Sequence, residues 1–244
     1  VIYLTIDGTS ADYAVTDTYG RNAVWTNYDL VMHMENGVTD STGNHTPSVV
    51  GSVTYGAGSI GQGVNIVDAG STGYISVPHA ASLDYTGDFE FSMWGEADGL
   101  DREWFFSKGN PFGTSNGYMA FVQSGNDARL NNPGVSFSHV AISNTATYSV
   151  VPIQKTKIKK TASTNVVFYV DGAINQTSAI TGNFRTSTAP LYIGRWDYNT
   201  EKWEGTMDEI RFSSNLSSDD WESTEHNNQS DVATFWTIAE EGGG

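Results

Sequence analysis

The sequence predicts an all-β protein made of two packed antiparallel sheets, and three observations lead to that prediction. The 244-residue chain has 26 glycines against 6 prolines, with 12 tyrosines, 11 phenylalanines and 7 tryptophans. This composition suits many short strands joined by turns. Several runs alternate large apolar with small or polar residues, and no long stretch has helical periodicity. A sandwich of this length is routinely one domain with a substantial core.

Three runs have the alternation expected of core strands. In residues 89–94, FEFSMW, the side chains of Phe89, Phe91 and Met93 share one face, and we expect a change of register at Trp94. Residues 117–122, GYMAFV, and 166–170, VVFYV, follow the same pattern. We expect these strands to fill the space between two sheets and to carry little chemistry.

Residues 154–160, QKTKIKK, form the only basic cluster of the sequence. Lys155, Lys157 and Lys159 alternate onto one face, as lysines do on a solvated edge strand, where they discourage pairing with other chains. A contact with an anion or an acidic glycan is the functional alternative. We favour the edge strand.

The charge balance bounds the partners of the protein. Twenty-eight acidic residues against twelve basic ones give a formal charge of −16. Such a surface repels nucleic acid and anionic lipid and attracts divalent cations, although acidity also serves solubility alone. No apolar run approaches the ~20 residues that cross a bilayer, so neither nucleic acid nor membrane insertion is expected. The absence of cysteine excludes disulfides.

Catalytic motifs are missing from the sequence. Glycosidases of the sandwich type place paired carboxylates on one strand face, about 5 to 5.5 Å apart for retention. Asp208 and Glu209 are adjacent and therefore face opposite ways. The five histidines are scattered, and no nucleophile elbow or phosphate-binding loop is present. We expect no enzymatic activity.

A loop between Arg195 and Glu204 has the composition of a sugar site. Sugar rings present an apolar C–H face and a hydroxyl rim, which aromatic rings and polar side chains can match. The candidate ligand-binding residues of this loop are Trp196, Asp197, Tyr198 and Asn199. Trp196 could instead cap the sandwich, and we expect Trp203 in the core. A second aromatic loop, residues 101–106, could lie nearby.

The end of the chain resembles a known family. Residues 191–195 (LYIGR), 203–205 (WEG), 207–212 (MDEIRF) and 216–220 (LSSDD) are similar to the closing hairpin and Ser-rich helix start of laminin-G-like, concanavalin A-like jelly-roll domains. Residues 28–43, 61–78, 82–94 and 168–172 follow the same template in order. The resemblance covers about residues 27–228. It implies a two-sheet antiparallel jelly-roll β-sandwich from a family that mostly binds rather than catalyses.

The resemblance also implies domain limits. We expect residues 1–26, with a strand over residues 1–6, to be a linker strand or the stub of an upstream β-module. The jelly roll would then span 27–230, and 231–244 a C-terminal strand and Gly-rich tail. The start at Val1, without initiator Met or signal peptide, leads us to expect a processed or partial product.

The family often holds calcium at the edge of its sandwich. By resemblance the metal ligands here would be Asp40, Asn44 and Asp208, because calcium prefers six to eight oxygen ligands. The alternative is an Asx-turn at Asp40 and a structural Asp208 hydrogen-bonded to backbone. Glu209 and Arg211 are expected to form a structural pair.

Together these features predict a non-catalytic recognition module on the outside of a cell or virion, binding a glycan or polysaccharide for adhesion, with calcium. One alternative is a structural domain that decorates a surface fibre, phage tail or capsid and contacts neighbouring subunits only. A weaker alternative is a targeting module of a polysaccharide-degrading enzyme.

Overall fold

The computed structural model describes residues 14, 16–18, 20–66, 73–97, 102–109, 116–123, 126–131, 139–143, 153–196 and 202–231. These residues form two antiparallel sheets, two 3-10 helices, Arg21–Trp25 and Ala81–Leu83, and one α-helix, α1, Asp219–Ser230. The predicted two-sheet β-sandwich is therefore confirmed. The strand predicted over residues 1–6 lies outside the described residues, and so do positions 197–199 of the sugar loop and the tail from residue 232 onward.

Fifteen strands are present in the described part of the chain. In chain order they are β1 Leu30–Met32, β2 Ser48–Val50, β3 Val53–Ala57, β4 Gln62–Ile66, β5 Tyr74–Val77, β6 Phe89–Ala97, β7 Glu103–Lys108, β8 Tyr118–Gln123, β9 Asp127–Asn131, β10 His139–Ile142, β11 Gln154–Thr161, β12 Asn165–Val170, β13 Ala173–Ala179, β14 Leu191–Ile193 and β15 Gly205–Ser213. No helix among the described residues is long and apolar enough to cross a membrane.

Sheet 1 has the order β13-β12-β11-β6-β15-β4-β3, and β1 adds to it by pairing with β15. Sheet 2 has the order β10-β9-β8-β7-β14-β5-β2. Strand β15 is central to sheet 1. On one side it pairs with β6, and on the other side its first half pairs with β4 and its second half with β1. Its pairing with β6 shifts register between Asp208 and Arg211. This bulge lies where the neighbouring strand changes from β4 to β1.

The core lies between the two sheets and is rich in aromatic rings. The three residues predicted to share the inner face of β6, Phe89, Phe91 and Met93, are buried there. The ring of Phe91 lies 4.6 Å from that of Phe106 on β7 and 5.0 Å from that of Phe212 on β15. Alternate residues of β8 and β12 are buried in the same cluster, which confirms the three predicted core strands. These side chains hold the two sheets together.

The pairing of β6 with β11 runs without interruption from Phe89 to Gly95, but its pairing with β15 shifts register between Trp94 and Ser92, so the predicted change of register at Trp94 occurs on the β15 side alone. The edge-strand prediction was wrong. Strand β11 lies between β6 and β12, and Lys155, Lys157 and Lys159 are all buried. Helix α1 covers the outer face of sheet 1 at this point, and its carboxylates neutralise the lysines.

Candidate functional site

The two ends of the predicted sugar-facing loop are fixed where the loop leaves the sandwich. Strand β14 ends at Ile193, and Gly194 follows with φ +76°, a conformation that favours glycine. A Cβ at Gly194 would also lie 2.4 Å from Cδ1 of Ile66, so a larger residue there would have to displace this buried core side chain. A β-bridge joins Arg195 to Lys202, and the amide of Trp203 donates to the carbonyl of Gly194 at 2.8 Å. The ends of the loop are thus held against the sandwich.

Trp196 lies at the base of this loop in a stack of aromatic rings. Its ring centroid is 5.0 Å from that of Trp104, with 18° between the planes, and Trp104 stacks in turn on Phe121 at 4.4 Å. Trp104, Met119 and Phe121 form a small buried cluster separate from the main core, and Trp196 packs against it half-buried. Trp196 is therefore fixed by packing on one part of its surface and accessible on another.

Residues predicted as a second aromatic loop belong to a strand from Glu103 onward, so the loop assignment was wrong for that part. The expected nearness to the sugar loop is confirmed, since Trp104 contacts Trp196 and the Glu103 carboxylate accepts from the amide of Glu204 at 2.7 Å. Trp203 lies in the core next to Phe105, as predicted.

The carboxylate of Asp40 is surrounded by donors from its own loop and from β1. One oxygen accepts from the amides of Val31 and Thr42, and the other accepts from the Thr42 hydroxyl and two further amides, those of Asn44 and His45. These distances run from 2.7 to 3.1 Å. The arrangement is the Asx-turn that was the alternative to a metal ligand.

Asp208 occupies the bulge of β15 and is fully buried. Its oxygens accept from the amides of Ile60, at 2.9 Å, and Glu209, at 2.8 Å. Burial is the main reason that the pKa of this carboxyl rises to about 6. A Cβ at Gly58 would lie 2.5 Å from the Asp208 carboxylate, so glycine is needed in the turn that Asp208 supports.

Glu209, at φ +49°, turns its side chain to a different set of partners. It accepts from Nδ1 of His33 at 2.7 Å and pairs with Arg211 at 2.6 Å, which confirms the predicted structural pair. Burial acts against the charged carboxylate, but His33 and Arg211 outweigh it and lower its pKa. Because Asp208 and Glu209 have separate surroundings, they do not form an acid–nucleophile pair across one bond.

Two of the three predicted metal ligands, Asp40 and Asp208, use their carboxylate oxygens within the fold, and Asn44 contributes its backbone amide to Asp40. Among the described residues, no group of three or more His, Asp or Glu side chains has the arrangement of a metal site. A calcium ion at Asp40 or Asp208 would have to displace hydrogen bonds that backbone amides now make. Calcium binding by Asp40, Asn44 and Asp208 stays a prediction.

Sequence reasoning missed a network of buried charges beneath α1. Lys157 pairs with Glu90 at 2.6 Å and with Glu222, and Lys155 pairs with Glu225 at 2.6 Å. Arg211 pairs with Glu225 as well. The signal was in the sequence, because Asp219, Glu222 and Glu225 are spaced three apart on a helix and the lysines alternate on a strand.

The same region contains a groove that no motif had indicated. The α1 groove is a cavity of 980 Å³ lined by residues of the 3-10 helix Arg21–Trp25, of the segment that follows it, of β15 and of α1. Its lining includes Trp25, Tyr28 and Trp221 together with several amide and hydroxyl side chains. The ion pairs of Glu90, Arg211 and Glu225 form part of its surface.

Comparison with known proteins agrees with this architecture. The model of the concanavalin A-like lectin/glucanases superfamily, of the laminin G type, matches residues 69–221. None of the curated protein sequences matches the chain. Among solved structures, domain 4 of AbnA, a GH43 extracellular arabinanase from Geobacillus stearothermophilus, has a TM-score of 0.62 at 17% identity, over 81% of this chain and 97% of that one.

Two structures from work on toxins are similar as well. The binding domain of Paraclostridial Mosquitocidal Protein 1 has a TM-score of 0.66 at 13% identity, over 83% of this chain. A structure from work on the cell entry of botulinum neurotoxin type C has a TM-score of 0.67 at 11% identity, over 85% of this chain. The present chain spans about half of each, 52% in both cases. These likenesses concern the fold. With the family model matching most of its length, the chain belongs to the concanavalin A-like lectin/glucanase superfamily.

Proposed function

We propose that this protein is a non-catalytic carbohydrate-recognition module that acts at the outside of a cell or particle. The observation that carries the proposal is the stacking of Trp196 on Trp104 at the base of the loop between Arg195 and Glu204, which contains polar residues. A stacked, half-buried indole is a rigid platform, and it loses little conformational entropy when a ligand binds. Asp197, Tyr198 and Asn199 would supply hydrogen bonds to the hydroxyl rim of a sugar placed on that platform.

Similar structures give independent support for a glycan ligand. The arabinanase domain was solved with arabinotriose, and the work on botulinum neurotoxin type C describes interaction with two ganglioside molecules. Both observations belong to those proteins. They make neutral arabino-oligosaccharides and sialylated glycans the first ligands to test on this chain.

Trp196→Ala is the variant that tests the proposal. Binding of arabinotriose and of a sialylated oligosaccharide would be measured by titration calorimetry for the natural protein and the variant. We expect the variant to bind the preferred glycan at least about fivefold more weakly, the scale of one lost aromatic contact of about 1 kcal/mol. Trp196→Phe should keep part of the affinity, and Ile174→Ala, an exposed position on β13, is the matched control.

Three outcomes would contradict the proposal or a part of it. Equal affinity of Trp196→Ala and the natural protein would exclude this loop as the sugar site. A blank result over a broad glycan panel, with Trp196 protected in an assembly with neighbouring subunits, would favour the structural decoration domain. Product release from a polysaccharide that persists after repurification would contradict the non-catalytic part.

The calcium prediction has its own test. A ligand that binds the folded state alone stabilises it by mass action, so chelation should lower the melting temperature if Asp40, Asn44 and Asp208 hold the ion. Melting curves with excess EDTA and with added calcium would be compared. Unchanged melting in both would show that Asp40 serves its Asx-turn and Asp208 its bulge without an ion.

A further inference from the structure

We propose that the α1 groove is a second carbohydrate site, which takes a neutral sugar residue. This inference rests on the proposed function and adds to it a site at a different place in the fold. The groove is formed by the segment before β1, the end of β15 with the residues that follow, and α1. Its volume of 980 Å³ lies at the upper end of the range of small-molecule sites, about 300 to 1,000 Å³.

Aromatic rings from two separate elements line the groove. Two neighbours hold the ring of Trp25 in place. The ring of Tyr28 lies 5.7 Å from it, and the guanidinium of Arg211 lies 5.1 Å from it. Trp221, in the first turn of α1, is 49% exposed, although a tryptophan usually buries most of its surface. Val24 is 70% exposed at the same place. An apolar surface left open beside polar groups suits the C–H face of a sugar ring.

Hydrogen-bonding groups are available next to these rings. The Gln229 side-chain oxygen accepts from Nε1 of Trp94 at 2.8 Å, which orients the amide and leaves its nitrogen to donate elsewhere. No described residue forms a hydrogen bond with the Tyr28 hydroxyl. Asn27 and Asn215 add exposed side chains to the lining. Hydroxyl groups can both donate and accept, so a sugar matches this mixture better than an aliphatic ligand does.

The charges at the groove select against an anion. Arg211, the cation of the lining, pairs through its two terminal nitrogens with Glu225 and Glu209, and its Nε has no hydrogen-bond partner among the described residues. The neighbouring Lys155 pairs with Glu225, and Lys157 pairs with Glu90 and Glu222. Recognition of phosphate, sulfate or sialic acid requires a cation that is free to pair with the ligand. The carboxylates of Glu90 and Glu225, which belong to the lining, would also repel an anion. The expected ligand is therefore an uncharged sugar.

Site-resolved NMR would test this inference with indole N–H signals assigned by tryptophan variants. The probes are arabinotriose, lactose and cellobiose as neutral sugars, and sialyllactose as the anionic comparison. We expect a neutral sugar to shift the Trp221 signal and Trp221→Ala to weaken that binding at least about fivefold. Trp221→Phe should recover part of the affinity. Because Trp221 is half-exposed, the variant should melt like the control Ile174→Ala, which is 55% exposed in the natural protein.

The remaining outcomes separate the two proposals. Shifts at Trp196 without any at Trp221 would overturn the second site and leave the proposed function standing. An absence of shifts at both tryptophans would overturn both. A shift at Trp221 with sialyllactose and none with the neutral sugars would overturn the assignment of a neutral ligand, and so would protection of Trp221 only in a complex with another protein.

Discussion

The two faces of sheet 1 are both shielded from water at its central strands β6 and β11, but their chemistry is opposite. On the inner face Phe91 is completely buried among other aromatic rings. On the outer face Lys157 is only 1% exposed, and its neighbours are carboxylates of β6 and α1. Both residues lie in the middle of the same pair of strands. In the register of β6 and β11, Phe91 lies opposite Ile158, and Lys157 lies opposite Ser92, the next residue of β6. Burial therefore does not require an apolar side chain, provided that every charge finds a partner.

The inner and outer faces of sheet 1 contribute differently to the stability of the fold and to the position of α1. Apolar burial stabilises the fold in proportion to the area removed from water. A buried ion pair gains little net energy, since desolvation offsets the attraction, but an unpaired member is strongly unfavourable. We infer that the inner face supplies most of the stability of the sandwich, whereas the outer face fixes where α1 lies and hence the shape of the α1 groove. Four predictions test this division, from the largest expected effect to the smallest.

Phe91→Ala should give the largest loss of stability. The change removes a ring from the middle of the core and leaves a cavity, which typically lowers the free energy of unfolding by about 3 to 5 kcal/mol. Urea denaturation followed by tryptophan fluorescence would measure it. Phe91→Leu is the matched control and should lose less, because most of the volume is kept. Equal losses for the two variants would contradict the role of the ring in the core.

Lys157→Met should lower the free energy of unfolding because it leaves two buried carboxylates without their cation. Glu90 and Glu222 would be buried without their cation, and breaking a buried pair typically destabilises by about 3 to 5 kcal/mol. Adding Glu90→Gln and Glu222→Gln to Lys157→Met should restore much of the loss. If the triple variant is no more stable than Lys157→Met, the ion network itself is a main source of stability, and the proposed division between the faces is wrong.

The outer face should also respond to acid. Glu225 of α1 faces Arg211 from β15, Lys155 and Lys157 from β11 and Tyr28 from the segment before β1. Burial alone would raise the pKa of Glu225, but the three cations outweigh it and hold the pKa below its usual 4.5. Its contribution to stability is therefore present above about pH 4.5 and is lost as the pH falls through the lowered pKa.

Melting temperatures between pH 7 and pH 2.5 would check the acid effect. Glu225→Gln should be less stable than the natural protein at pH 7, and the difference should shrink at low pH, where the natural carboxylate is also protonated. Glu35→Gln, on an exposed residue, is the control. A difference that stays constant over the whole range would show that the charge of Glu225 is not what stabilises α1.

The smallest expected effect concerns the start of α1. Ser218 caps the helix through its hydroxyl, which accepts from the amide of Trp221 at 3.2 Å, and loss of such a cap typically costs about 1 kcal/mol. Ser218→Ala should lower the unfolding free energy by that amount, while Ser230→Ala at the far end of the helix should change it little. Hydrogen exchange of the first turn would show whether the loss is local, as expected if α1 is positioned mainly by its ion pairs.

Local patterns determined much of the sandwich. Period-two alternation identified the inner faces of β6, β8 and β12, since a strand buried on one face must place its apolar residues at every second position. The Ser-rich start of α1, the core position of Trp203 and the pairing of Glu209 with Arg211 also followed from short stretches of sequence and the family they resemble. Each of these features depends on neighbours in the chain or on a recurring hairpin.

Only the tertiary structure decided what lies against the lysines of β11. An alternating lysine strand has the same sequence pattern whether water or a helix covers it, and the covering carboxylates of α1 come from residues sixty or more positions away. The same holds for the bulge that turns Asp208 and Glu209 to different partners, and for the α1 groove, whose two tryptophans are 196 positions apart in the chain. The local sequence determines which side chains each strand places on each face, whereas long-range packing decides which element of the fold covers that face.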